Sequence, residues 1–338
     1  MTHADFNQDD MRDEAAPLRL FLTGGSGYLG RNLIRHFVAQ GATVVALVRS
    51  ERAAAVVRAL GAVPFAGDLL DPLEQGMAGC QALIHAAADT NHGYATAAQR
   101  RINLDGTRHV FASARAAGIA RTVFISSESV LLDGGPLVNA REDMPFPDHP
   151  AGAYTRTKGE AERIALALAG PGFSVVAARP RFLWGRDDTT ALPQLTAAAA
   201  AGKMAWLDGG RYLTSTTHIA NACAGIALAL QRGRSGEAYF FSDGEPEEFR
   251  RFITALLATQ GIVAPDKSVP RWLVRAIASV GDLLATVSCG RFTPPVTRQQ
   301  LATMSVEVTL DISKACTHLG YRPVMSRSEG LAELVAPG

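Results

Sequence analysis

A tyrosine and a lysine four positions apart, Tyr154 and Lys158, have the residue types that proton transfer requires. On a helix, residues with this spacing project from the same face, about one turn apart. A cation beside a phenol favours the phenolate and lowers the pKa of the tyrosine from its ordinary value of about 10. Surface helix pairs share the spacing, but this pair follows strand-end serines. We therefore expect Tyr154 to exchange a proton with a carbonyl or alcohol oxygen.

Three serines, Ser126, Ser127 and Ser129, lie where an apolar strand predicted over 122–126 ends. Ligands of open α/β sheets bind at the carboxyl ends of the strands, so the Ser127 hydroxyl would emerge at that edge. We assign Ser127 to the reacting oxygen, Ser126 to the cofactor and Ser129 to the substrate. Either neighbour could instead only cap a turn, because serine hydroxyls bond readily to nearby backbone groups.

A glycine-rich turn stands between the first predicted strand and the first predicted helix, which is the context that a dinucleotide-binding turn requires. Its glycines permit a tight turn and a close approach of a pyrophosphate, and the helix N-terminus offers free amides. A glycine-rich surface turn is the alternative, which the strand–turn–helix context disfavours. The turn residues assigned to the cofactor are Gly24, Gly25, Gly27, Tyr28, Leu29 and Gly30.

Two further segments follow predicted strands and could contact a nucleotide. Asp68 could bind an adenine amino group while Leu69 covers the ring, although a simple turn aspartate is as good an explanation. The small side chains of Ala86, Ala87 and Ala88 would let a nucleotide lie over the carboxyl edge of the sheet. Small residues are equally common in packed cores.

The second predicted strand ends at Arg49, where NAD enzymes usually carry an acidic residue for the ribose hydroxyls. A guanidinium suits a 2′-phosphate, and Ser50 and Arg52 could add a hydroxyl and a second positive charge. With no repelling carboxylate expected nearby, the sequence predicts NADP(H), with NAD(H) possible. Alternatively, Arg49 only extends into solvent at a strand end and Glu51 binds the ribose.

The positions of the candidate catalytic and cofactor-binding residues follow from the predicted secondary structure. Short apolar runs alternate with helical patterns along the chain, which is typical of a parallel sheet covered by helices. The predicted strands are 18–23, 43–48, 63–66, 82–86, 122–126, 174–178 and 238–242. The predicted helices are 29–40, 104–117, 154–168, 196–201, 218–230 and 271–287. The pattern predicts an α/β fold, a Rossmann doubly wound parallel sheet with a smaller C-terminal substrate domain.

The chain length exceeds the usual size of one core, so two domains are expected. Residues 1–17 are predicted to be a flexible acidic tail, and residues 18–180 the NADP-binding domain, to which residues 214–243 return. Residues 181–213 and 244–338 would form the substrate domain, with the stretch 180–213 serving as a lid rather than more sheet. The apolar stripe of helix 271–287 is expected to pack on the core.

Composition excludes several classes of protein. With 33 basic and 32 acidic residues the net charge is +1, so a nucleic-acid partner is not expected. Four cysteines without metal-ligand spacing predict no metal site and reduced core residues. No secretory signal and no apolar segment long enough for a membrane span are found, so we expect a cytoplasmic protein.

The combination of the glycine turn, Asp68, Ser127, Tyr154 and Lys158 resembles the extended short-chain dehydrogenase/reductase family over residues 18–335. Three segments look like its 3β-hydroxysteroid dehydrogenase/isomerase branch, and bacterial 3-oxoacid reductases of olefin biosynthesis are similar too. The segments are Ala178–Gly185, Gly236–Pro246 and Leu319–Pro323.

The resemblance implies a role for each matching residue. Ser127 would orient the substrate oxygen, Tyr154 would transfer the proton, and Lys158 would lower the tyrosine pKa and hold the nicotinamide ribose. Hydride would come from the cofactor. Pro180 would lie by the nicotinamide carboxamide, and Asn103 matches a helix asparagine of the family whose role can be structural.

The substrate is expected to be an apolar ketone or secondary alcohol, such as a hydroxysteroid or a β-keto acyl compound, contacted by Phe182, Trp184 and Leu192. A nucleotide-sugar epimerase or dehydratase is the first alternative, but Phe182 and Thr214 stand where those enzymes would offer donors to a diphosphate. A non-catalytic NADP-binding regulator is the second, although the tyrosine and lysine are both present.

A homodimer is also expected, because family members often pair helices corresponding to 104–117 and 154–168. Alanines would allow close approach of the two subunits along the second helix. They stand at positions 161, 165, 167 and 169.

Overall fold

A computed structural model describes residues 17–93, 96–288 and 291–335. The predicted acidic tail therefore lies, apart from Pro17, outside the described residues. The strands are β1 Arg19–Thr23, β2 Thr43–Val48, β3 Val63–Ala66, β4 Ala82–His85, β5 Arg121–Ile125, β6 Leu137–Ala140, β7 Ser174–Pro180, β8 Leu183–Trp184, β9 Trp206–Leu207, β10 Leu213–Thr214, β11 Thr217–His218, β12 Ala238–Phe241, β13 Glu247–Glu248, β14 Ser268–Val269 and β15 Val308–Leu310.

The α-helices follow the same chain order, and a π-helical turn and two short 3-10 turns stand among them. The helices are α1 Tyr28–Ala39, α2 Glu51–Ala59, α3 Glu74–Met77, α4 Ala97–Arg100, α5 Gly106–Ala116, α6 Ala153–Ala167, α7 Ala191–Ala200, α8 Ile219–Arg232, α9 Phe249–Ala258, α10 Arg271–Val287, α11 Arg298–Met304, α12 Ser313–Leu319 and α13 Arg327–Leu334.

Seven strands form one sheet in the order β3-β2-β1-β4-β5-β7-β12, and every neighbouring pair is parallel. The central strands are apolar on both sides because helices cover both faces of the sheet. One face packs on α1 and α8, and the other on α5 and α6. This is the doubly wound sheet that the sequence predicts, and its carboxyl ends meet at one edge.

The stretch 180–213, expected to be a lid without sheet, contains short strands. In the described part of the chain, β8 pairs with β11, β9 with β14, and β10 joins a four-stranded sheet. That sheet has the order β13-β10-β15-β6, and neither β6 nor β15 is predicted from the sequence. Both are short and pair only with strands far along the chain, so periodicity alone gives no signal for them.

The helix predicted over 104–117 begins earlier than expected. Helix α4, a π-helical turn at Arg101–Asp105 and α5 follow one another without a break. A π-turn adds a residue to one turn of helix and commonly marks a functional position. Asn103 lies inside this turn.

Three expectations about surfaces are wrong. In α10 only Ala278, Gly281 and Ala285 are buried, whereas the large apolar residues face outwards. In α6, Ala161 and Ala165, two of the four alanines expected at a dimer contact, pack in the core of the same chain, whereas the homodimer itself stays a prediction. Cys316 is exposed rather than in the core, although Cys80 and Cys223 are buried. None of the described helices has the length and apolarity to cross a membrane.

Helix α6, which carries Tyr154 and Lys158, is fixed to the sheet by a buried ion pair. The Arg179 guanidinium of β7 donates hydrogen bonds to both carboxylate oxygens of Glu162, at 2.9 Å from Nε and 2.5 Å from Nη2. Both side chains are at most 3% exposed. A third guanidinium nitrogen donates to the Glu142 carbonyl. Removing one partner would therefore leave an uncompensated charge in the interior.

We expect Glu162→Leu to lower the free energy of unfolding by about 3–5 kcal/mol, because the Arg179 charge stays buried without its partner. Urea unfolding followed by circular dichroism measures the change. The double variant Arg179→Met/Glu162→Leu should recover most of the loss, since neither charge remains. Glu51→Leu, which breaks an exposed pair with Arg58, is the control and should change stability by less than about 1 kcal/mol. Equal effects of Glu162→Leu and Glu51→Leu would contradict this account.

Candidate active site

The glycine turn after β1 is held in a shape that side chains would prevent. Gly24 has a φ of +74°, and a Cβ there would lie 2.8 Å from the backbone of Ala86 and Ala87. A Cβ on Gly30 would lie 2.1 Å from the Gly24 carbonyl oxygen. The glycines thus allow the turn to pack against the end of β4 and against the first turn of α1.

The N-terminus of α1 points its free amides into this turn. Gly27 is the N-cap residue and supplies no side-chain acceptor, so the first amides remain available to an anion such as a pyrophosphate. The Tyr28 side chain, assigned to the cofactor, is 6% exposed, and Leu29 is half-buried against the core. Backbone amides, rather than these two side chains, are the groups that this turn offers to a dinucleotide.

A buried histidine links the ends of β1 and β4 beside the glycine turn. Thr107 donates its hydroxyl hydrogen to the Asn103 carbonyl at 2.7 Å, so it can only accept from His85 Nε2, 3.2 Å away. His85 Nδ1 then accepts from the Thr23 hydroxyl at 2.7 Å, and that oxygen accepts the Ala87 amide. Burial lowers the pKa of His85 to about 3, which keeps the ring neutral in this role.

At the end of β2 the structure corrects one expectation. Arg49 Nη1 lies 3.8 Å from a carboxylate oxygen of Asp68, although no carboxylate was expected beside it. Both side chains are at least half exposed. Ser50 accepts a hydrogen bond from the Ala53 amide and caps α2, which leaves its own hydrogen free. Glu51 bonds to Arg58 at 2.8 Å instead of facing a ribose.

The other residues assigned to the nucleotide divide into exposed and buried ones. The Asp68 amide donates to Asp71 at 2.7 Å, which shapes the turn after β3 and leaves the Asp68 carboxylate at the surface. Leu69 is 7% exposed and packs against Gly106 in the core, so it does not cover an adenine ring. Ala86, Ala87 and Ala88 are half-buried at the carboxyl edge.

The Asn103 side chain forms hydrogen bonds with the backbone. Its carbonyl oxygen accepts the Asp89 amide at 2.8 Å, and its amide nitrogen donates to the Asp89 carbonyl and to Thr157. These bonds join the loop after β4 to α6. The side chain therefore positions the two walls of the cleft, in agreement with the structural role that was one reading of the sequence.

Tyr154 lies in the first turn of α6, 9% exposed, beside the serines that follow β5. Ser127 caps a short 3-10 turn and donates its hydroxyl hydrogen to Glu128 Oε2 at 2.7 Å. Burial and the negative charge of Glu128 raise the pKa of Tyr154, while the neighbouring hydroxyls of Ser127 and Ser129 act in the opposite direction. The phenol is therefore protonated in the ligand-free protein, and the lowered tyrosine pKa that the sequence predicts is not found there.

The hydroxyls of Ser126 and Ser129 are both buried, and neither has a hydrogen-bond partner in the part of the chain that the structure describes. Buried hydroxyls without partners are rare in folded proteins and call for a ligand or water. Both serines border the end of β5 where Ser127 stands. The sequence expectation that they face ligands stays a prediction that this geometry favours.

Lys158 is buried one turn along α6 from Tyr154, and its ammonium nitrogen lies 4.3 Å from the centre of the Phe124 ring. Burial lowers the pKa of Lys158 to about 7, and Glu162 opposes this shift. The lysine thus exists near neutral pH as a mixture of amine and ammonium. A bound polyanionic ligand would favour the charged form.

Sequence reasoning missed a buried ion pair directly beneath the serines. Arg181, 1% exposed, donates to Glu128 Oε1 at 2.7 Å, and its other nitrogens donate to Thr214 and to the Thr303 carbonyl. Glu128 therefore joins Ser127 to Arg181. Two features of the sequence could have indicated this ion pair. Glu128 stands between two serines, and Arg181 follows Arg179 by two positions.

His92 is a second residue that the sequence did not indicate. Its ring packs on the Tyr154 ring with 4.9 Å between centres, and its carbonyl accepts a hydrogen bond from Thr297. Nearby, the Gln299 side chain accepts the Thr155 amide. Residues from the C-terminal part of the chain therefore border the tyrosine.

The three residues assigned to the substrate have different positions. Trp184 is fully buried and its indole donates to Asp243 at 2.8 Å, so it belongs to the core and not to a pocket wall. Phe182 and Leu192 are half-buried against the same cluster. Phe182 has a φ of +42°, which is a strained conformation for a bulky residue. Hydrogen bonds between Thr217 and the backbone at Phe182 and Arg181 hold this conformation in place.

Pro180 is the last residue of β7 and pairs with Phe241, so it stands at the carboxyl edge as the resemblance implies. Among the described residues, no three or more His, Cys, Asp or Glu side chains form a group that could hold a metal ion.

The buried lysine has a consequence for stability. Between about pH 7 and its ordinary pKa of 10.5, Lys158 binds a proton in the unfolded chain but not in the folded one. Stability should therefore rise with pH across this window, by up to about 1.4 kcal/mol per pH unit. We expect Lys158→Met to remove this rise when urea unfolding of the ligand-free protein is measured at a series of pH values.

Lys203→Met is the control, because Lys203 is exposed and its substitution should leave the pH dependence unchanged. Identical pH slopes for the wild type and Lys158→Met would show that the folded lysine keeps its ordinary pKa.

Comparisons with known proteins agree with this geometry. The model of the 3-beta hydroxysteroid dehydrogenase/isomerase family matches residues 21–271. The 4-hydroxy-2-methyl-3-oxo-4-farnesyl-3,4-dihydroquinoline-1-oxide ketoreductase of Stigmatella aurantiaca is 47% identical over 323 residues, which are 95% of this chain and 97% of the relative. The 2-alkyl-3-oxoalkanoate reductase of Stenotrophomonas maltophilia is 31% identical, over 94% of this chain and 99% of the relative.

Among solved structures, the crystal structure of gox2253 has a TM-score of 0.74 and 27% sequence identity, and the alignment covers 93% of this chain and 97% of that one. The family match spans both the glycine turn and the Ser127, Tyr154 and Lys158 cluster. The chain is an NAD(P)-dependent oxidoreductase of the extended short-chain dehydrogenase/reductase type, and it belongs to the 3-beta hydroxysteroid dehydrogenase/isomerase family.

Proposed function

We propose that this protein is an NADP(H)-dependent ketoreductase that interconverts an apolar ketone and the corresponding secondary alcohol, with Tyr154 as acid and base. One observation carries the proposal. A buried phenol and a buried lysine occupy one helix face beside the Ser127 hydroxyl, at the sheet edge that also holds the glycine turn. These groups are what carbonyl reduction requires of the protein.

The protein's own part in the reduction is to hold and protonate the carbonyl oxygen. Ser127 turns its hydroxyl from Glu128 towards that oxygen, and the Tyr154 phenol donates its proton as negative charge develops there. Because burial and Glu128 raise the tyrosine pKa, the phenol begins the reaction protonated.

Lys158 has two tasks in this proposal. Its ammonium stabilises the tyrosinate that remains after proton transfer, and it bonds the hydroxyls of the nicotinamide ribose. The bound nicotinamide supplies the hydride. The pyrophosphate would be held at the glycine turn by the α1 amides, which no side-chain cap occupies.

A preference for NADP(H) rests on the end of β2. Arg49 is exposed and its present partner, the Asp68 carboxylate, is 3.8 Å away, which is a weak contact that a 2′-phosphate could replace. The Ser50 hydroxyl and the N-terminus of α2 add donors at the same place. Glu51, the alternative ribose ligand, is engaged by Arg58.

The apolar character of the substrate is supported by the half-buried Phe182 and Leu192 and by the names of two relatives, which act on a farnesylated quinoline and on 2-alkyl-3-oxoalkanoates. A nucleotide sugar fits less well. The Thr214 hydroxyl accepts a hydrogen bond from Arg181, and the Arg181 guanidinium is itself buried against Glu128. Neither side chain therefore offers a donor to a diphosphate.

A panel of apolar ketones, comprising steroid ketones, β-keto esters and 3-oxo-dihydroquinolines, tests the function with NADPH and NADH. We expect turnover of at least one class, and Tyr154→Phe should lower kcat by about 10²–10⁴-fold because the proton donor is lost. NADPH affinity, followed by fluorescence titration, should be retained.

Tyr239→Phe is the matched control, since it removes a buried hydroxyl that accepts the Arg234 amide, and it should keep full activity. Turnover restricted to nucleotide sugars would overturn the assignment of substrate. Dinucleotide binding without turnover of any carbonyl would favour a regulator.

The cofactor preference is tested by Arg49→Asp. We expect the KM for NADPH to rise by about 10–100-fold, because a charge-assisted bond to the 2′-phosphate is replaced by repulsion, while the KM for NADH is unchanged or lower. Arg322→Asp reverses an exposed charge elsewhere and serves as the control. A wild type with higher kcat/KM for NADH than for NADPH would refute the preference.

A further inference from the structure

Glu128 is a buried carboxylate in the turn between Ser127 and Ser129. The residue is 3% exposed, and both of its carboxylate oxygens are engaged. Oε1 accepts a hydrogen bond from Arg181 Nη1 at 2.7 Å, and Oε2 accepts one from the Ser127 hydroxyl at 2.7 Å. A buried carboxylate is costly unless it is paired, so its place directly beside a candidate catalytic hydroxyl requires a reason.

The Arg181 guanidinium holds this carboxylate in one position. Besides Glu128, it donates to the Thr214 hydroxyl at 2.9 Å and to the Thr303 carbonyl at 3.0 Å. Thr214 belongs to β10 and Thr303 to α11, so the arginine is itself fixed by two further elements. A charge-assisted bond from a fixed guanidinium leaves the carboxylate little freedom to move.

The paired carboxylate determines which way the Ser127 hydroxyl points. An ionised carboxylate can only accept hydrogen bonds, so the hydrogen of this contact belongs to Ser127. The Ser127 oxygen also accepts the Ser129 amide at 3.1 Å, which leaves it one free lone pair. The oxygen and the hydrogen of this hydroxyl are therefore both placed before any ligand binds.

Four charged or titratable groups lie around the Tyr154 phenol, each from a different part of the chain. Lys158 follows on α6, Glu128 lies in the serine turn, Arg181 stands behind Glu128, and the His92 ring packs on the tyrosine ring. Burial lowers the pKa of His92, while Glu128 acts in the opposite direction, so this ring is neutral in the alkaline range. Of these four groups, Glu128 alone carries negative charge.

Glu128 does not reach a substrate itself. Its side chain is 4% exposed, and Arg181 and Ser127 occupy its two oxygens. A direct part in proton transfer would require one of these bonds to break and the carboxylate to turn out of the interior. Its influence on a reacting carbonyl therefore passes through Ser127 and Tyr154.

We propose that Glu128 is a positioning residue for carbonyl reduction: held by Arg181, its carboxylate orients the Ser127 hydroxyl and places a fixed negative charge beside the Tyr154 phenol. A negative neighbour favours the neutral phenol over the tyrosinate, so the proton donor stays loaded further into the alkaline range. This role rests on the proposed function, because it has a purpose only where Tyr154 transfers a proton.

The effect of the charge is measured without a substrate. The chain has six tyrosines, so the signals of isotope-labelled tyrosine rings can be followed by NMR, and Tyr154→Phe identifies the signal of Tyr154. In the complex with saturating NADP+ or NAD+, we expect Glu128→Gln to lower the pH at which this signal titrates by about one unit or more. Glu237→Gln removes a partly exposed carboxylate that pairs with Lys314, and it should leave the titration unchanged.

Two further variants separate the charge from the stability of the fold. Glu128→Gln leaves the Arg181 charge buried without its partner, whereas Arg181→Met/Glu128→Gln removes both charges and should shift the titration in the same direction. Glu128→Asp keeps the charge but shortens the side chain by one methylene group. We expect it to titrate like the wild type and to lower kcat, because the bond to Ser127 is lost.

Kinetics with an apolar ketone tests the orientation of the Ser127 hydroxyl. Ser127→Ala and Glu128→Asp should each lower kcat by about tenfold or more. The double variant should be little slower than Ser127→Ala alone, because the two residues act through one hydroxyl. Losses that multiply in the double variant would overturn the orienting role.

The remaining outcomes distinguish this proposal from the proposed function. Equal protonation of Tyr154 at every pH in the wild type and Glu128→Gln would overturn the effect of the charge and leave Glu128 with a purely structural role. Without turnover of any carbonyl the proposed function fails, and with it the role of Glu128 in reduction. The NMR titration would still show in that case whether the carboxylate acts on the phenol.

Discussion

Two buried arginines at the end of one strand hold the active site together. Arg179 binds Glu162 on α6, and two residues later Arg181 binds Glu128 in the turn that carries Ser127. Arg179 lies near the carboxyl end of β7 and Arg181 directly follows that strand, so the same end of β7 fixes both catalytic elements. Buried ion pairs contribute little net stability, but each is costly to break, which makes them suited to defining a position.

The same two pairs determine the electrostatics of the cleft. Glu162 is taken up by Arg179, so it only partly opposes the effect of burial on Lys158, whose pKa falls to about 7. Glu128 keeps negative charge beside Tyr154 and raises its pKa. The ligand-free site therefore holds a protonated phenol and a lysine close to its titration point. The protonation of both side chains therefore depends on the charge of a bound ligand.

Other parts of the molecule hold the loops around the cleft in place or form the surface beside it. The His85 and Asn103 networks lock the loop ends around the glycine turn. The C-terminal segment brings α11 to the border of the cleft, with its N-cap Thr297 and its Gln299 as the contacts. The exposed apolar face of α10 thus belongs to the same C-terminal segment that borders the cleft.

The sequence by itself determined the parallel sheet, the glycine turn and the Ser127, Tyr154 and Lys158 set, because these depend on local periodicity, on glycine geometry and on spacing along one helix. It did not determine β6 and β15, the pairing of Arg181 with Glu128, the burial of Leu69 and Trp184, or the outward apolar face of α10. Those features arise where segments distant in the chain meet, and only tertiary packing decides which side of a strand or helix is covered. An apolar stripe on a helix gives the same sequence pattern whether it packs in the core of the chain or lies at its surface.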